Sequence, residues 1–399
     1  TIPAETALAV PTPALQANPE ISQEEQLQVF EQVVETVTEV YVYPEVVNGE
    51  TWKQSVSAFR TKIEAGLDTQ TFYEEMKSLI EGLGDEHSYF ESPVEVALSE
   101  AQLAASNEYS GIGVFMLAQV EKGQGSVIAV FPDSPAEHAG LKPHDALLAV
   151  DGLPIVEDEE FVGYRLRGPE CSAVRVTVRS PGEEPRDILM MRASIEGGLP
   201  VDNRLVDTND GSRVAYIMLP SFFDRTIPRQ VERALQSFGD LDGLILDNRM
   251  NGGGTSNIVE RILGYFTSGN LGSFRSRTES RPFVIEADPI ANSQTVPLII
   301  LIGENSASFG EIFSGVLKDN GRAMLVGQPT LGNVELLHGY SLPDGSNLWI
   351  AEETFDPAVS HANWELSGLL PDLEAFADWD TFTFETDPAI AAALTLLGH

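Results

Sequence analysis

At 399 residues, with 42% hydrophobic and 21% charged content, the chain is long enough for two or three domains with cores of their own. Its ordinary globular composition excludes disorder along most of its length. Lys+Arg 24 against Asp+Glu 61 gives a formal net charge of −37, which argues against nucleic acid and anionic membrane surfaces as partners because both reward basic patches. Cys171 is the only cysteine, so neither an intramolecular disulfide nor a cysteine-based metal site can form; its place just ahead of a strand predicts a buried structural thiol.

The first 21 residues are rich in Pro and Ala and read as a linker. They carry no basic start and no long apolar run, and they hint at a removed leader and export. No run of about 18 apolar residues occurs anywhere, so no transmembrane helix is expected. Residues 22–106 read as helical, because EEQLQVFEQVVETVTEVYV and FYEEMKSLIEGL place apolar residues at three- and four-residue steps. The second pattern stops at Gly82 and Gly84, which puts His87 on the turn beyond a helix end.

Residues 107–193 change to short strands and turns, with YSGIGVFMLA, GSVIAVF, DALLAVDGLPI and AVRVTVRS as strands. SPAEHAGLK and DEEFVGYRLRG are predicted as short helices. A glycine-flanked loop opening into an edge strand, here Gly111-Ile112-Gly113-Val114, suits capture of a peptide carboxylate while the peptide adds to the sheet.

Residues 194–380 alternate strand and helix. RVAYIML, GLILDNR, LIILIG and RAMLVG are the strands, and IPRQVERALQSF, TSNIVERILGYF and SFGEIFSGVLK the helices, which implies a parallel sheet with right-handed crossovers. Asn251-Gly252-Gly253-Gly254 lies between a strand and a helix, where exposed N–H groups can meet a substrate oxygen. Ser308 sits in a turn at a helix start, where unpaired N–H groups and the helix dipole favour an oxyanion; the plain alternative is that Ser306 or Ser308 caps the helix. Residues 381–399 read as a C-terminal tail.

Gly111-Ile112-Gly113-Val114, SPAEHAGLKPHDALLAVDG and LRGPE arrive in the order of a bacterial protease PDZ domain, and the segment resembles one. LDNRMNGGG, ENSASFGE and KDNGRAMLVGQPTLG resemble the carboxy-terminal processing peptidases and their tricorn relatives. The resemblance implies an α/β fold: a crotonase-like (ClpP-like) αβ core with a helical N-terminal part and an inserted, mostly β PDZ domain. It also implies a serine peptidase acting on polypeptides or their C-termini, outside the cytoplasm, with no metal or organic cofactor. Ser308 becomes the nucleophile, Phe309 N–H with Gly252 or Gly253 N–H the oxyanion hole, and Arg167 a residue coupling peptide docking to the site.

One position departs from the family. Its usual lysine, in TFGKGSVQ, falls on Asn333 of Thr330-Leu331-Gly332-Asn333, and the supporting glutamine on Leu337. Asparagine cannot take a proton from serine at neutral pH. The tricorn branch uses a serine–histidine–glutamate set instead, and its motifs fall here on His87 and Glu365. His338 is the rival base and Glu335 the rival third member. The rival from another class is a peptidase-like protein that grips peptides without cleaving them. A crotonase-like acyl-transfer enzyme is disfavoured by the PDZ-like insertion.

Overall fold

The structure, a computed structural model, describes residues 18–399 other than 86, 105–107 and 209, so most of the expected linker lies outside it. The chain forms two compact units. One takes the described residues up to 104 with Ser276–Glu279 and Leu336–Thr354, and the other takes the rest.

In the first unit the apolar spacing read above yields helices Gln23–Val40, Pro44–Asn48, Glu50–Ala65, Thr69–Glu81 and Pro93–Ala104. Ser22 and Glu25 form a capping box at the first, and Asp68 accepts from Thr71 N–H at the fourth, so orphan N–H groups are satisfied locally. Phe30, Val33, Val37, Phe59, Ile63, Phe72 and Met76 bury the shared core. A short sheet completes the unit. Tyr89–Glu91 and Leu336–Ser341 both pair antiparallel with the strand Asn347–Pro357, Tyr89 opposite Trp349 and Tyr340 opposite Leu348. Nothing in the helical periodicity announces that a hairpin from 336–354 belongs to this unit.

The second unit holds both the β-rich segment and the αβ core. The β-rich sheet runs in the order Arg186–Met191, Ala173–Arg179, Ala146–Val150, Gln124–Val130, Val114–Gln119, over a core of Ile112, Val127, Ala136, Leu147, Val174 and Val176. The helix expected over DEEFVGYRLRG does not form. Val156–Glu157 and Glu160–Phe161 make a hairpin whose turn residues, Asp158 and Glu159, both have positive φ, and only a 3₁₀ turn, Gly163–Leu166, follows. The half-buried Phe161 ring lies so close to Gly125 and Gly163 that a Cβ at either would meet it at 2.9 and 2.5 Å, so the packing of that ring overrides the helical spacing. Cys171 is a second correction: it is exposed, with φ 61° in a turn, its N–H donating to Arg192 O at 2.8 Å.

The core sheet runs Asn203–Val206, Val214–Met218, Gly243–Asp247, Leu298–Ile302, Met324–Gly327, Leu373–Glu374, parallel throughout except for the first pair. Ile227–Phe238, Ser256–Phe266 and Phe309–Asp319 are its crossover helices. Residues 381–399 are no tail. Pro388–Leu397 is a helix capped by Asp387, and Ala389, Ile390 and Ala393 join a cluster with Tyr216, Ile245 and Ile299.

The two parts of this unit meet at the strip just before that helix. Trp379 Nε1 donates to Val127 O at 2.9 Å, and the His144 ring lies 4.0 Å from the Trp379 ring and donates from Nδ1 to Trp379 O at 2.9 Å. Arg179 and Lys122 pair with Asp380 and Asp378 around it. Burial holds the His144 imidazole below its ordinary pKa, the hydrogen bond to Trp379 O opposing the shift.

Candidate active site

The strand Leu298–Ile302 carries only aliphatic residues and is wholly buried, so the chain leaves the sheet at Gly303 and must turn before the helix Phe309–Asp319 begins. The two serines of that turn differ in kind. Ser306 is buried; its Oγ donates to Asn248 O at 2.8 Å and accepts from Gly303 N–H at 3.2 Å, so its hydroxyl is committed to the turn. Ser308 is half-buried, its hydroxyl does not cap the helix, and its backbone has φ 53° and ψ −128°. A non-glycine residue at such φ stores on the order of 1–3 kcal/mol of strain and persists only where its surroundings hold it. Ser308 N–H donates to Asn333 O at 2.6 Å, and Ala307 N–H donates to Asn251 O at 3.1 Å. Phe309 N–H opens the helix and has no partner among the described residues.

The glycine loop lies against this turn. A Cβ on Gly253 would meet Ser308 Cβ at 2.7 Å, one on Gly310 would meet Asn251 O at 2.4 Å, and Gly253 itself has φ +98°. Of the two glycines expected to offer an N–H, Gly253 is already engaged, donating to Asn251 Oδ1 at 2.9 Å; Gly252 is exposed, and its N–H has no partner among the described residues. The loop's root is an ion-pair knot. Arg249 donates to Asp247 Oδ2 and to Asp387 Oδ2, both at 2.6 Å, and its guanidinium lies 5.3 Å from the Trp379 ring centroid. Burial pushes the Asp247 carboxyl up, but Arg249 outweighs it and holds the group below its ordinary pKa.

The loop after Thr330 carries the other half of the geometry. Its successive N–H groups are divided between two carboxylates. Gly332 and Asn333 donate to Glu311 at 2.9 and 2.7 Å, and Val334 and Glu335 donate to Glu365 Oε2 at 2.7 and 3.1 Å. Glu365 stands on a short helix, Trp364–Ser367, capped by Asn363 and anchored by Trp364 over Gly315. Glu335 is buried at 3% exposure. Asn333 meets the Ser308 turn through its backbone, where its carbonyl accepts Ser308 N–H.

His87 belongs to the first unit, in the turn after Thr69–Glu81. It is half-buried, and its N–H donates to Asp85 Oδ1 at 3.0 Å. Ser88 donates to the other oxygen of Asp85 and accepts from Ala351 N–H, so the turn is fixed from both sides. His338 is exposed on its strand, 3.7 and 3.4 Å from the carboxylates of Glu352 and Glu353. In the β-rich part, Ile112 is buried and its carbonyl accepts from Ala136 N–H, Gly113 takes φ +82° against Ser134, and the strand opening at Val114 lies at an edge of its sheet. Arg167 is exposed beyond the 3₁₀ turn. Glu311 and Asn251 were missed in the sequence, although a glutamate three residues after a helix-start serine is itself a capping signal.

The turn thus sets a strained serine at a helix start against a glycine loop, with buried carboxylates close by. The chain matches the profile of peptidase family S41 over residues 213–375 and that of the PDZ domain over 126–180. It is 32% identical over 305 residues to the carboxyl-terminal-processing protease of Synechocystis sp., covering 74% of this chain and 70% of that one. It is 30% identical over 315 residues to the protein of that name from Picosynechococcus sp., covering 74% and 72%. Among solved structures, the photosystem II D1 C-terminal processing protease has the same fold, with TM-score 0.61, 22% identity, and 95% and 98% of the two chains covered. The tricorn protease aligns with TM-score 0.54 and 19% identity over 94% of this chain and 37% of that one. The chain belongs to the carboxyl-terminal-processing proteases of peptidase family S41, serine peptidases that hydrolyse peptide bonds.

Proposed function

We propose that Ser308 is the nucleophile of an endopeptidase that cleaves unstructured polypeptides near the carboxyl end, with His87 as its base and Glu365 orienting the imidazole. The observation that carries this reading is the Ser308 turn: a half-buried hydroxyl not spent on the helix cap, on a backbone held in a strained conformation beside the free Phe309 N–H. Ser308 Oγ attacks the scissile carbonyl carbon while His87 takes its proton. The tetrahedral oxyanion is held by Phe309 N–H and Gly252 N–H, since Gly253 N–H is spent on Asn251. Collapse breaks the C–N bond, His87 protonates the leaving amine, and water repeats the sequence on the acyl-enzyme.

His87 is preferred because the family lysine position holds Asn333, whose amide is no base, and His338 faces Glu352 and Glu353 on an exposed strand. For Glu365, support comes from its carboxylate, whose Oε2 accepts from Val334 and Glu335 N–H, which fixes the group. Substrate adds as a strand to the PDZ edge at Val114, its terminal carboxylate toward Gly111–Gly113 and Arg167. We read the core as crotonase-like and the working compartment as extracytoplasmic.

The test uses a fluorescent unfolded polypeptide with Ser308→Ala, His87→Ala, Glu365→Gln and His338→Ala. Cleavage should vanish in the first, fall roughly a thousandfold or more in the second and survive in the last. Cleavage by His87→Ala at the wild-type rate, with loss in His338→Ala, would reassign the base. Failure of the wild type to cleave any of a varied set would favour a peptide-gripping protein.

A further inference from the structure

We propose that Glu311 is a positioning residue for hydrolysis, holding Ser308 in its strained conformation through the backbone of Asn333; this rests on Ser308 being the nucleophile. Glu311 lies one turn into the helix that Ser308 begins and is 0% exposed. A fully buried carboxylate is costly unless its oxygens are satisfied, so the partners it gathers carry information. One oxygen accepts from the Thr330 hydroxyl and from Gly332 N–H, and the other from Asn333 N–H. Asn333 is thus gripped at its N–H by Glu311 while its carbonyl receives Ser308 N–H at 2.6 Å.

The result is a closed circuit within the second unit: Ser308, one turn of helix to Glu311, across to Asn333, and back to Ser308. Such a circuit supplies what a positive-φ serine needs, a contact that fails when the backbone relaxes. Relaxation would also turn Phe309 N–H, the next group along the chain, away from the place where the oxyanion develops. Thr330 extends the circuit, because its Oγ1 also accepts from Leu369 N–H at 2.6 Å, in the turn following the Glu365 helix. Glu311 itself touches no reacting atom. Burial lifts its carboxyl above the ordinary pKa, against the hydrogen bonds it accepts, which fits a group held for geometry.

Glu311→Gln preserves shape but turns an NH₂ toward one of the N–H donors, so the circuit opens. With folding checked by thermal scanning, kcat on the unfolded polypeptide should fall roughly tenfold or more. KM should stay within about twofold, and the rate of Ser308 labelling by a fluorophosphonate should fall in parallel with kcat. Thr330→Val should lower kcat and Thr330→Ser should restore it. A Glu311→Gln protein that folds and labels at the wild-type rate overturns the proposal. If that variant does not fold, equal kcat in Thr330→Val and Thr330→Ser overturns it instead. Failure of the nucleophile assignment would look different, since Ser308→Ala would then still cleave and still be labelled.

Discussion

Replacing Arg249 with Met tests the root of the glycine loop. In the folded protein the Arg249 side chain is 11% exposed and the Asp247 and Asp387 side chains 0% and 1%, so the substitution leaves two carboxylates buried without their cation. Removing one partner of a buried pair costs about 3–5 kcal/mol, most of it the uncompensated charge that remains. For a unit of this size that lowers the melting temperature by roughly 10 °C. The pH dependence has a definite sign. In the wild type the Asp247 carboxyl is held below its ordinary pKa, so its contribution is present above the unfolded-state value and is lost as pH falls through the folded one. In Arg249→Met the abandoned Asp247 carboxylate gains stability by binding a proton, so the gap between variant and wild type should be widest at pH 8 and narrow toward pH 5. Thermal scanning across that range, with Arg249→Met/Asp387→Asn as partial rescue, is the assay. A gap below about 1 kcal/mol at pH 8, or one that widens on acidification, would refute the reasoning.

Ser306→Ala should cost about 1–2 kcal/mol of stability for its buried hydroxyl and yet leave fluorophosphonate labelling intact, which separates it from Ser308→Ala. Gly253→Ala forces a Cβ to 2.7 Å from Ser308 Cβ at φ +98°, so kcat should fall roughly tenfold or more in a protein that still folds. With a net charge of −37, the melting temperature should rise as KCl is raised from low to high concentration, and a flat or falling profile would contradict self-repulsion as a destabilising force. His144 is held below its ordinary pKa by burial, so the stability of its neutral form is present above the unfolded-state value and lost as pH falls through the folded one. His144→Phe should therefore flatten the acid limb of a melting-temperature profile; an unchanged limb assigns that sensitivity elsewhere.

The sequence made the crossover helices legible nearly residue by residue: Ile227–Phe238 buries one face at regular spacing, and Phe309–Asp319, though buried on all sides from Phe309 to Leu317, keeps its apolar residues at helical steps. It also placed Ser308 at a turn and the glycines beside a strand end. Other features depend on contacts distant in the chain. DEEFVGYRLRG has helical spacing but gives way to the seat of the Phe161 ring, and Cys171 is needed at a positive φ that composition does not announce. That the Ser306 hydroxyl is taken up by Asn248 O depends on a strand end far away in the chain, which no local pattern shows. Glu311 was passed over because its partners, Thr330 to Asn333, lie some twenty residues away, and no local pattern shows that a carboxylate and an amide row will meet.

The strip at Trp379 bears on how this protein can be taken apart. Trp379 lies beside Val127 and His144 on one side and beside the Arg249 guanidinium on the other. Excising residues 107–193 to obtain a minimal peptidase would expose that indole and let water reach the cation whose pairing anchors the glycine loop. The insertion is a wall of the catalytic half, and the trimmed enzyme would lose activity through its own hydration before any question of peptide recognition arose.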